Sequence, residues 1–282
     1  INLYKDKASR EIKDIIDVKF RVAKILADEY QVDFLQVTSF EINTMHHFLW
    51  NDERTKECWK TIDRHIRDFL KDEETNVMLV SDHGSNEIRT VFNINVWLEK
   101  RGYLKTNTRS FNLLYRLGIT QELLSKVIHK LKLEKLAEKA PKNIVKMIPS
   151  SSGEIEKREN IIDWEKSKVI ASGQGPIYIK ATNKEEKSKL LIEIKKKLEE
   201  LFSPITGKKI VNKVYLKQEI YSGKYLNEAP DLIIDQAKGV HIPGGLGMKQ
   251  VFSTPNKWRA ENKKWGLFAA HGPDIKSCLL YT

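Results

Sequence analysis

The sequence predicts an α/β protein built around a mostly parallel sheet. Helix-like and strand-like segments alternate from the start of the chain, and reactive polar residues follow two of the predicted strands. The 282 residues are 40% hydrophobic and 31% charged, which is typical of a globular protein with a sizeable core. Because ligand sites of such folds lie beyond the carboxyl ends of the strands, the segments after those two strands are the candidate site.

The N-terminal hundred residues carry this alternation most clearly. Apolar positions at helical spacing predict helices, and short apolar runs predict strands. The predicted elements are a helix at residues 5–30, a strand at 32–40, a helical or irregular stretch at 44–50, a helix at 59–70, a buried strand at 76–80 and a helix at 92–101 that ends at Gly102.

The remaining elements follow from the same periodicities and from turn residues. They are a Lys-rich helix at residues 123–140, a Ser-rich and Gly-containing loop at 149–154, strands at 168–171 and 177–181 around a turn, a charged helix at 184–202, strands at 209–216 and 232–234, a glycine-rich loop at 239–247 and a late strand at 267–270. No internal repeat is present.

The charge and cysteine content narrow the class of protein. A net charge of +11 suggests a polyanionic partner, but the lysines are spread along helices such as residues 185–200. Dispersed lysines indicate solvated helix faces, so nucleic acid is not the expected partner and a small phosphorylated substrate is favoured.

The two cysteines indicate the cellular setting. Cys58 and Cys278 match no zinc or redox spacing, which predicts a reducing, cytoplasmic setting. No apolar run is long enough to span a membrane, and the sequence does not indicate the oligomeric state.

The segment Ser81-Asp82-His83-Gly84 carries the strongest chemical signal. Where a strand breaks into a loop, neighbouring Asp and His side chains can turn toward one point, which is a metal-site arrangement. The following glycine lets the backbone turn without a side chain that blocks a ligand. The alternative is that Asp82 caps the next segment beside a surface His83.

Asn43 and His47 form the second candidate group, because residues four apart fall on one helical face. A carboxylate is the expected partner of such a histidine, and Asn43 offers a neutral carbonyl oxygen instead. The alternative is that His46 and His47 are one packed and one solvated side chain on an aromatic segment. His65, His129 and His241 have no supporting neighbours in the sequence and are read as ordinary helix or loop residues.

These motifs together resemble the alkaline phosphatase superfamily, and more narrowly its phosphohydrolase or phosphomutase branch related to type I phosphodiesterases and nucleotide pyrophosphatases. The resemblance covers residues 32–276. Besides Ser81-Asp82-His83-Gly84, it rests on short segments in a shared order, namely residues 43–50, 91–98, 102–104, 162–164, 177–179, 229–232 with its Pro-Asp-Leu, and 266–276.

The resemblance implies a three-layer αβα sandwich with a helical and β insertion, two divalent ions such as zinc or manganese, and phosphate-ester hydrolysis. Asp82 and His83 would hold one ion and His47 the other, with Asn43 at a position that is aspartate in the family. Paired cations suit this reaction because they stabilise the attacking and leaving oxygens. The implied domains are residues 1–104 in the metal-binding core, 105–160 as an insertion or cap, and 161–282 as the rest of the core.

Three departures from the family pattern qualify the expected activity. Asn262 stands where a further metal histidine is usual, so two ligands of the second ion are asparagine. His271 is either a displaced ligand or a plain surface histidine. The family's nucleophile and first metal aspartate are expected upstream of Ile1. A binding or regulatory member that has lost its ions, a phosphomutase and a sulfatase therefore stay open as alternatives to a hydrolase. The loop Gly244-Gly245-Leu246-Gly247 lacks the context of a phosphate-binding loop and is expected to be flexible.

Overall fold

A computed structural model describes residues 5–131, 133, 141, 148–149 and 161–276 of the chain, without the side chains of residues 109–112. The chain divides into two compact units. The first consists of Ile1–Ile88 and Asn256–Thr282, and the second of Arg89–Pro255. The domain ranges expected from the sequence stay a prediction.

Helices and strands are numbered here in chain order. They are α1 (Lys5–Tyr30), α2 (Phe40–Phe48), α3 (Glu53–Phe69), β1 (Val77–Val80), β2 (Gly84–Glu87), β3 (Thr90–Phe92), α4 (Ile94–Lys100), α5 (Arg109–Arg116), α6 (Gln121–Lys130), β4 (Val169–Ala171), β5 (Pro176–Ile179), α7 (Lys184–Glu199), β6 (Val211–Leu216), α8 (Lys217–Ile220), β7 (Leu232–Gln236), β8 (Val240–His241), β9 (Phe252–Ser253), β10 (Ala260–Lys263) and β11 (Phe268–His271).

The first unit combines a helical core with two small antiparallel sheets. Helices α1, α2 and α3 enclose a core of Ile16, Phe20, Met45, Leu49, Cys58 and Ile62. Strand β1 pairs with β11, and β2 pairs with β10. Both sheets join a segment before residue 88 to one after residue 256, so the two ends of the unit's sequence are held together by strand pairing.

The second unit is organised around an antiparallel sheet of order β4-β5-β7-β6. Helix α7 contacts this sheet and buries Leu190, Ile194 and Leu198, whose spacing of four residues places them on one face. The buried amide of Asn95 fixes a second part of the core, because it exchanges hydrogen bonds with the backbone of Ala171 and donates to the Gly244 carbonyl.

The predicted α/β class is confirmed. The strand pairing differs from the mostly parallel sheet that the sequence predicts. Among the paired strands of the described residues, β3 and β8 run parallel, and all other pairs are antiparallel. Apolar periodicity reports which face of a strand is buried and carries no information on strand direction. Direction depends on partners such as β11, which lies almost 200 residues after β1.

Two strand predictions in the first unit need correction. Residues 32–40 form no regular strand, and Phe34 in this stretch is 75% exposed. A run with high β-propensity becomes a strand only against a partner, and the described residues offer it none. Strand β1 is present as predicted but is not fully buried, since Met78 and Val80 are 58% and 69% exposed.

Most other predicted elements are confirmed within a few residues, whereas the helix predicted at 59–70 is α3 and already begins at Glu53. Helix α1 has the predicted bounds, α4 closes at Gly102 with φ +77, and the turn between β4 and β5 places Gln174 and Gly175 in the left-handed region. The glycine-rich loop is buried rather than open. The helix predicted at residues 123–140 is α6, which ends at Lys130, and residues 131 and 133 are not helical, contrary to the prediction. The other residues of that prediction after 130, and most of the loop at 149–154, lie outside the described residues.

Candidate functional site

The segment Ser81-Asp82-His83-Gly84 joins β1 to β2 and is tied to the residues that precede β11. The Ser81 backbone N–H donates to the Leu267 carbonyl at 2.9 Å. The Leu267 N–H in turn donates to Ser81 Oγ at 2.6 Å. These bonds fix the loop at the point where β1 ends, as the sequence predicts for a strand-end site.

Two glycines allow this close approach. A Cβ at Gly84 would lie 1.8 Å from the Trp265 carbonyl oxygen, and a Cβ at Gly266 would lie 2.5 Å from Ser81 Oγ. Real Cβ atoms do not tolerate such distances, so each position needs glycine because another part of the chain occupies the space. The glycines of two separate sequence motifs thus serve one contact.

Asp82 and His83 form an adjacent pair of donors. Asp82 Oδ2 lies 3.4 Å from His83 Nε2, and the Asp82 side chain is 87% exposed whereas that of His83 is 24% exposed. His83 Nδ1 lies 3.0 Å from the carbonyl oxygen of Gly84. A carbonyl only accepts, so the Nδ1–H tautomer is favoured and Nε2 faces the carboxylate. The loop presents one carboxylate and one ring nitrogen together.

His47, at the end of α2, is held by the segment just before and at the start of β10. Its Nδ1 donates to the Ala260 carbonyl at 2.8 Å, and its ring stacks on Trp258 with a centroid distance of 3.9 Å. Its own carbonyl accepts the Arg259 N–H at 2.6 Å. The Nδ1–H bond leaves the lone pair on Nε2, which is how metal-ligating histidines are usually oriented by a backbone carbonyl.

His46 is arranged differently from its neighbour. Its Nε2 accepts the indole N–H of Trp59 at 3.0 Å, which occupies the lone pair that a metal would need. Burial lowers the pKa of His46, and the charge of His47 adds to that effect. Of the two histidines, His47 therefore has the geometry of a ligand. Asn43 lies one turn earlier on α2, as its spacing predicts.

Strand β10 connects the two groups of donors. Its Ala260 carbonyl binds His47, while Lys263 at its other end is opposite Gly84 in β2. Three residues of strand separate these contacts by about 10 Å. Asn262 is opposite Ser85, and its Oδ1 is buried without a hydrogen-bond partner among the described residues. An unpaired buried oxygen of this kind is costly unless something binds it.

His271 does not join these residues. It is the last residue of β11, opposite Val77 at the start of β1, whereas Ser81 follows Val80 at the other end of the same ladder. Because the two strands are antiparallel, His271 lies about 10 Å along the sheet from the Ser81 end. This placement favours the surface-histidine interpretation over that of a displaced ligand.

The candidate ligand atoms fit parts of a metal site, but they do not form a complete one. Asp82 with His83, and His47 with the amide oxygens of Asn43 and Asn262, have suitable chemistry. Within the described part of the chain, however, no group of three or more His, Cys, Asp or Glu residues could hold a metal ion. A zinc site normally needs three or four protein ligands, so neither group is sufficient alone.

Trp258 and the Ala260 carbonyl are the site residues that the sequence interpretation missed. No motif or periodicity marks residues 256–259, which are irregular in the structure. Their role depends on β10 pairing with β2, a contact between segments more than 170 residues apart. Only the position of Asn262 in the resemblance pointed to this strand.

The features above define the class as an α/β protein that presents oxygen and nitrogen ligand atoms in the loop after β1, on α2 and on β10. The family model described as type I phosphodiesterase / nucleotide pyrophosphatase matches residues 3–274. The chain belongs to this family, a family of phosphoester hydrolases within the alkaline phosphatase superfamily, as the sequence motifs predicted. Neither a curated protein nor a solved structure gives a significant match.

None of the helices in the described ranges is both long enough and apolar enough to cross a bilayer. The longest, α1, has charged residues along its whole length.

Proposed function

We propose that this chain carries part of the active site of a metal-dependent phosphoester hydrolase that acts on a small phosphorylated substrate. The observation that carries the proposal is the arrangement around β10, which lies between His47 on one side and the Ser81-Asp82-His83-Gly84 loop on the other. Family membership supports the reaction class. The dispersed net charge of +11 supports an anionic substrate.

The proposed roles follow the donor geometry. Asp82 and His83 supply a carboxylate and a ring nitrogen to one divalent ion, zinc or manganese. His47 supplies Nε2 to a second ion, with neutral oxygens from Asn43 and Asn262. When bound, paired cations would stabilise the charge on the attacking and leaving oxygens of the phosphoryl group. No residue of this chain is assigned as the nucleophile. We also propose a reducing, cytoplasmic setting, with which the unpaired Cys58 of the described residues is compatible.

The second candidate is a binding or regulatory member of the same family that has lost one or both ions. The observation that favours it is the pair of neutral residues, Asn43 and Asn262, at positions where the family pattern has charged or imidazole ligands. Neutral oxygens hold a cation less strongly than carboxylates do. A phosphomutase or a sulfatase would use the same donors, since a fold does not select the reaction.

Metal content and turnover of the full-length protein test the proposal. We expect Asp82→Ala to lose about one equivalent of metal and at least 100-fold in phosphodiesterase turnover, since removing a charged ligand weakens the whole site. Asp33→Ala, which removes an exposed aspartate of the same unit, is the matched control and should change neither quantity.

Equal metal content and equal turnover in the wild type and Asp82→Ala would contradict the assignment of Asp82. No bound metal together with no hydrolysis in the wild type would favour the binding or regulatory candidate instead.

A further inference from the structure

The second unit contains a basic cavity around the Pro-Asp-Leu motif, which the proposed active site does not use. The cavity has a volume of about 220 Å³ and is lined by Lys184, Lys187, Ser188, Leu191, Lys217, Gln218 and Asp231. Three lysines and one aspartate thus face a space large enough for a small anion.

Asp231 is the buried carboxylate that holds the lysines of this cavity in place. Its side chain is 8% exposed, and its Oδ2 accepts the backbone N–H of Ile179 at 2.8 Å. Its Oδ1 accepts from Lys187 Nζ at 2.8 Å and lies 3.3 Å from Lys217 Nζ. A single carboxylate oxygen therefore serves two ammonium groups, and Asp231 holds α7, β5 and the start of α8 together.

The charges in the cavity do not balance. Lys187 and Lys217 share the one negative charge of Asp231, and the Lys217 side chain is only 12% exposed. Lys184 lines the same cavity and forms no ion pair with an acidic side chain of the described residues. Three positive charges against one negative leave a surplus of two. Of the three lysines, Lys217 is shielded from water, where a positive charge is costly unless an anion compensates it.

We propose that this cavity binds the phosphate group of a free phosphate ion or a small phosphorylated ligand. Lys184 and Lys187 would contact the phosphate oxygens. The less exposed Lys217 would add positive charge, and Asp231 would hold Lys187 and Lys217 in position. Ser188 adds a hydroxyl donor at the rim. Lysine acts at phosphate sites as a point charge, which suits an ion that can bind in several orientations. The inference is independent of the proposed active site, because it uses no residue of the first unit.

Phosphate binding to the full-length protein, followed by calorimetry and by phosphorus NMR line broadening, tests the proposal. We expect saturable binding of inorganic phosphate that weakens as salt is added, because the contacts are electrostatic. Lys184→Ala combined with Lys187→Ala should weaken binding about tenfold or more, as for the loss of charge-assisted hydrogen bonds. Lys184→Ala alone should weaken it less, because Lys184 is exposed.

The matched control is Lys189→Ala, which removes a lysine of α7 that does not line the cavity. It should bind phosphate like the wild type. Asp82→Ala separates this site from the proposed active site, and the phosphate binding that depends on Lys184 and Lys187 should persist in that variant. A phosphate monoester that binds more tightly than inorganic phosphate would identify a phosphorylated molecule as the ligand, and equal binding would identify the free ion.

Two results would overturn the proposal. One is the absence of phosphate binding in the wild type, which would make Asp231 and its lysines a purely structural cluster. The other is binding that survives in the double lysine variant, including binding that is lost only in Asp82→Ala. Thermal unfolding of each variant would confirm that the double variant is folded before its affinity is compared.

Discussion

The two units bury apolar side chains to very different extents. The Arg89–Pro255 unit has a continuous core that includes Phe92, Trp97 and Leu98, none of them more than 1% exposed. The other unit has a smaller helical core and leaves many large apolar side chains exposed. They include Ile15, Val18, Val22, Ile25 and Leu26 on α1, Met78 and Val80 on β1, and Phe268 on β11. The second unit also exposes large apolar side chains, such as Ile192 and Tyr225, so the difference between the units lies in the size of the core.

The candidate metal ligands all lie in the unit with the smaller core. They are positioned by backbone hydrogen bonds and by glycine contacts, such as those of Ser81 with Leu267 and of Gly84 with Trp265. A two-stranded sheet is at best marginally stable alone. Apolar burial therefore stabilises the second unit most, whereas close backbone contacts position the candidate ligands of the first unit.

The largest expected effect is a core substitution in the second unit. Trp97 is 1% exposed and packs against Phe92 and Tyr103. Trp97→Ala should lower the free energy of unfolding by about 3–5 kcal/mol, because it removes apolar contacts and leaves a cavity. Urea denaturation measures the change. Trp164→Ala, which alters a tryptophan of the same unit that is 49% exposed, should cost far less. Equal losses would show that this core is not the source of stability.

The second largest effect is expected from a substitution at Gly84, which lies close to the Trp265 carbonyl in the first unit. Gly84→Ala should cost about 1–3 kcal/mol, because the new methyl group must displace the Trp265 carbonyl. It should also reduce metal binding, since the shift moves Asp82 and His83. Gly173→Ala is the control, because a Cβ there would have its nearest neighbour at 3.6 Å, an ordinary contact. Similar denaturation midpoints for both variants would contradict the role assigned to the close approach.

A third effect tests the position of His47 without changing the proposed ligands. Trp258→Ala removes the ring that stacks on His47 and should weaken metal binding about 10- to 100-fold, as expected when a group that orients a ligand is lost. Trp258→Phe keeps an aromatic face and should restore most of the affinity. Nitrogen NMR of the His47 ring provides a second readout, because loosening should mix its tautomers. An unchanged tautomer and unchanged metal affinity in Trp258→Ala would show that Trp258 only packs.

The smallest expected effect is on the pH dependence of stability, through Glu186 of the second unit. Hydrogen bonding to Lys168, and then to the backbone and hydroxyl of Thr182, lowers the pKa of Glu186 to about 2. Its ordinary value is about 4.3, so its stabilising contribution is complete above that pH and is lost as the pH falls toward 2. Glu186→Gln should therefore flatten the fall in stability over this window.

Thermal unfolding between pH 5 and pH 2 measures that slope. Glu185→Gln is the matched control, since the carboxylate of Glu185 accepts none of the hydrogen bonds that Glu186 makes. Parallel curves for the wild type and Glu186→Gln would show that this carboxylate has a similar pKa in the folded and unfolded chain.

Much of the local structure and the family could be predicted from the sequence. The bounds of α1, the hairpin of β4 and β5, and the stop of α4 at Gly102 follow from apolar periodicity and turn residues, which act over a few residues. The Ser81-Asp82-His83-Gly84 motif and the ordered segments around it identified the family correctly. The spacing of Asn43 and His47 correctly placed both on one helix.

The tertiary structure decided which distant segments meet. Residues 32–40 have the composition of a strand but form none, because no described segment pairs with them. The stacking of Trp258 on His47 and the ion pairs of Lys187 and Lys217 with Asp231 join residues from different elements of the chain. Apolar periodicity and turn residues predict which element a segment forms and which of its faces is buried. The partner of each face depends on the whole chain, and so the geometry of both proposed sites could be read only from the structure.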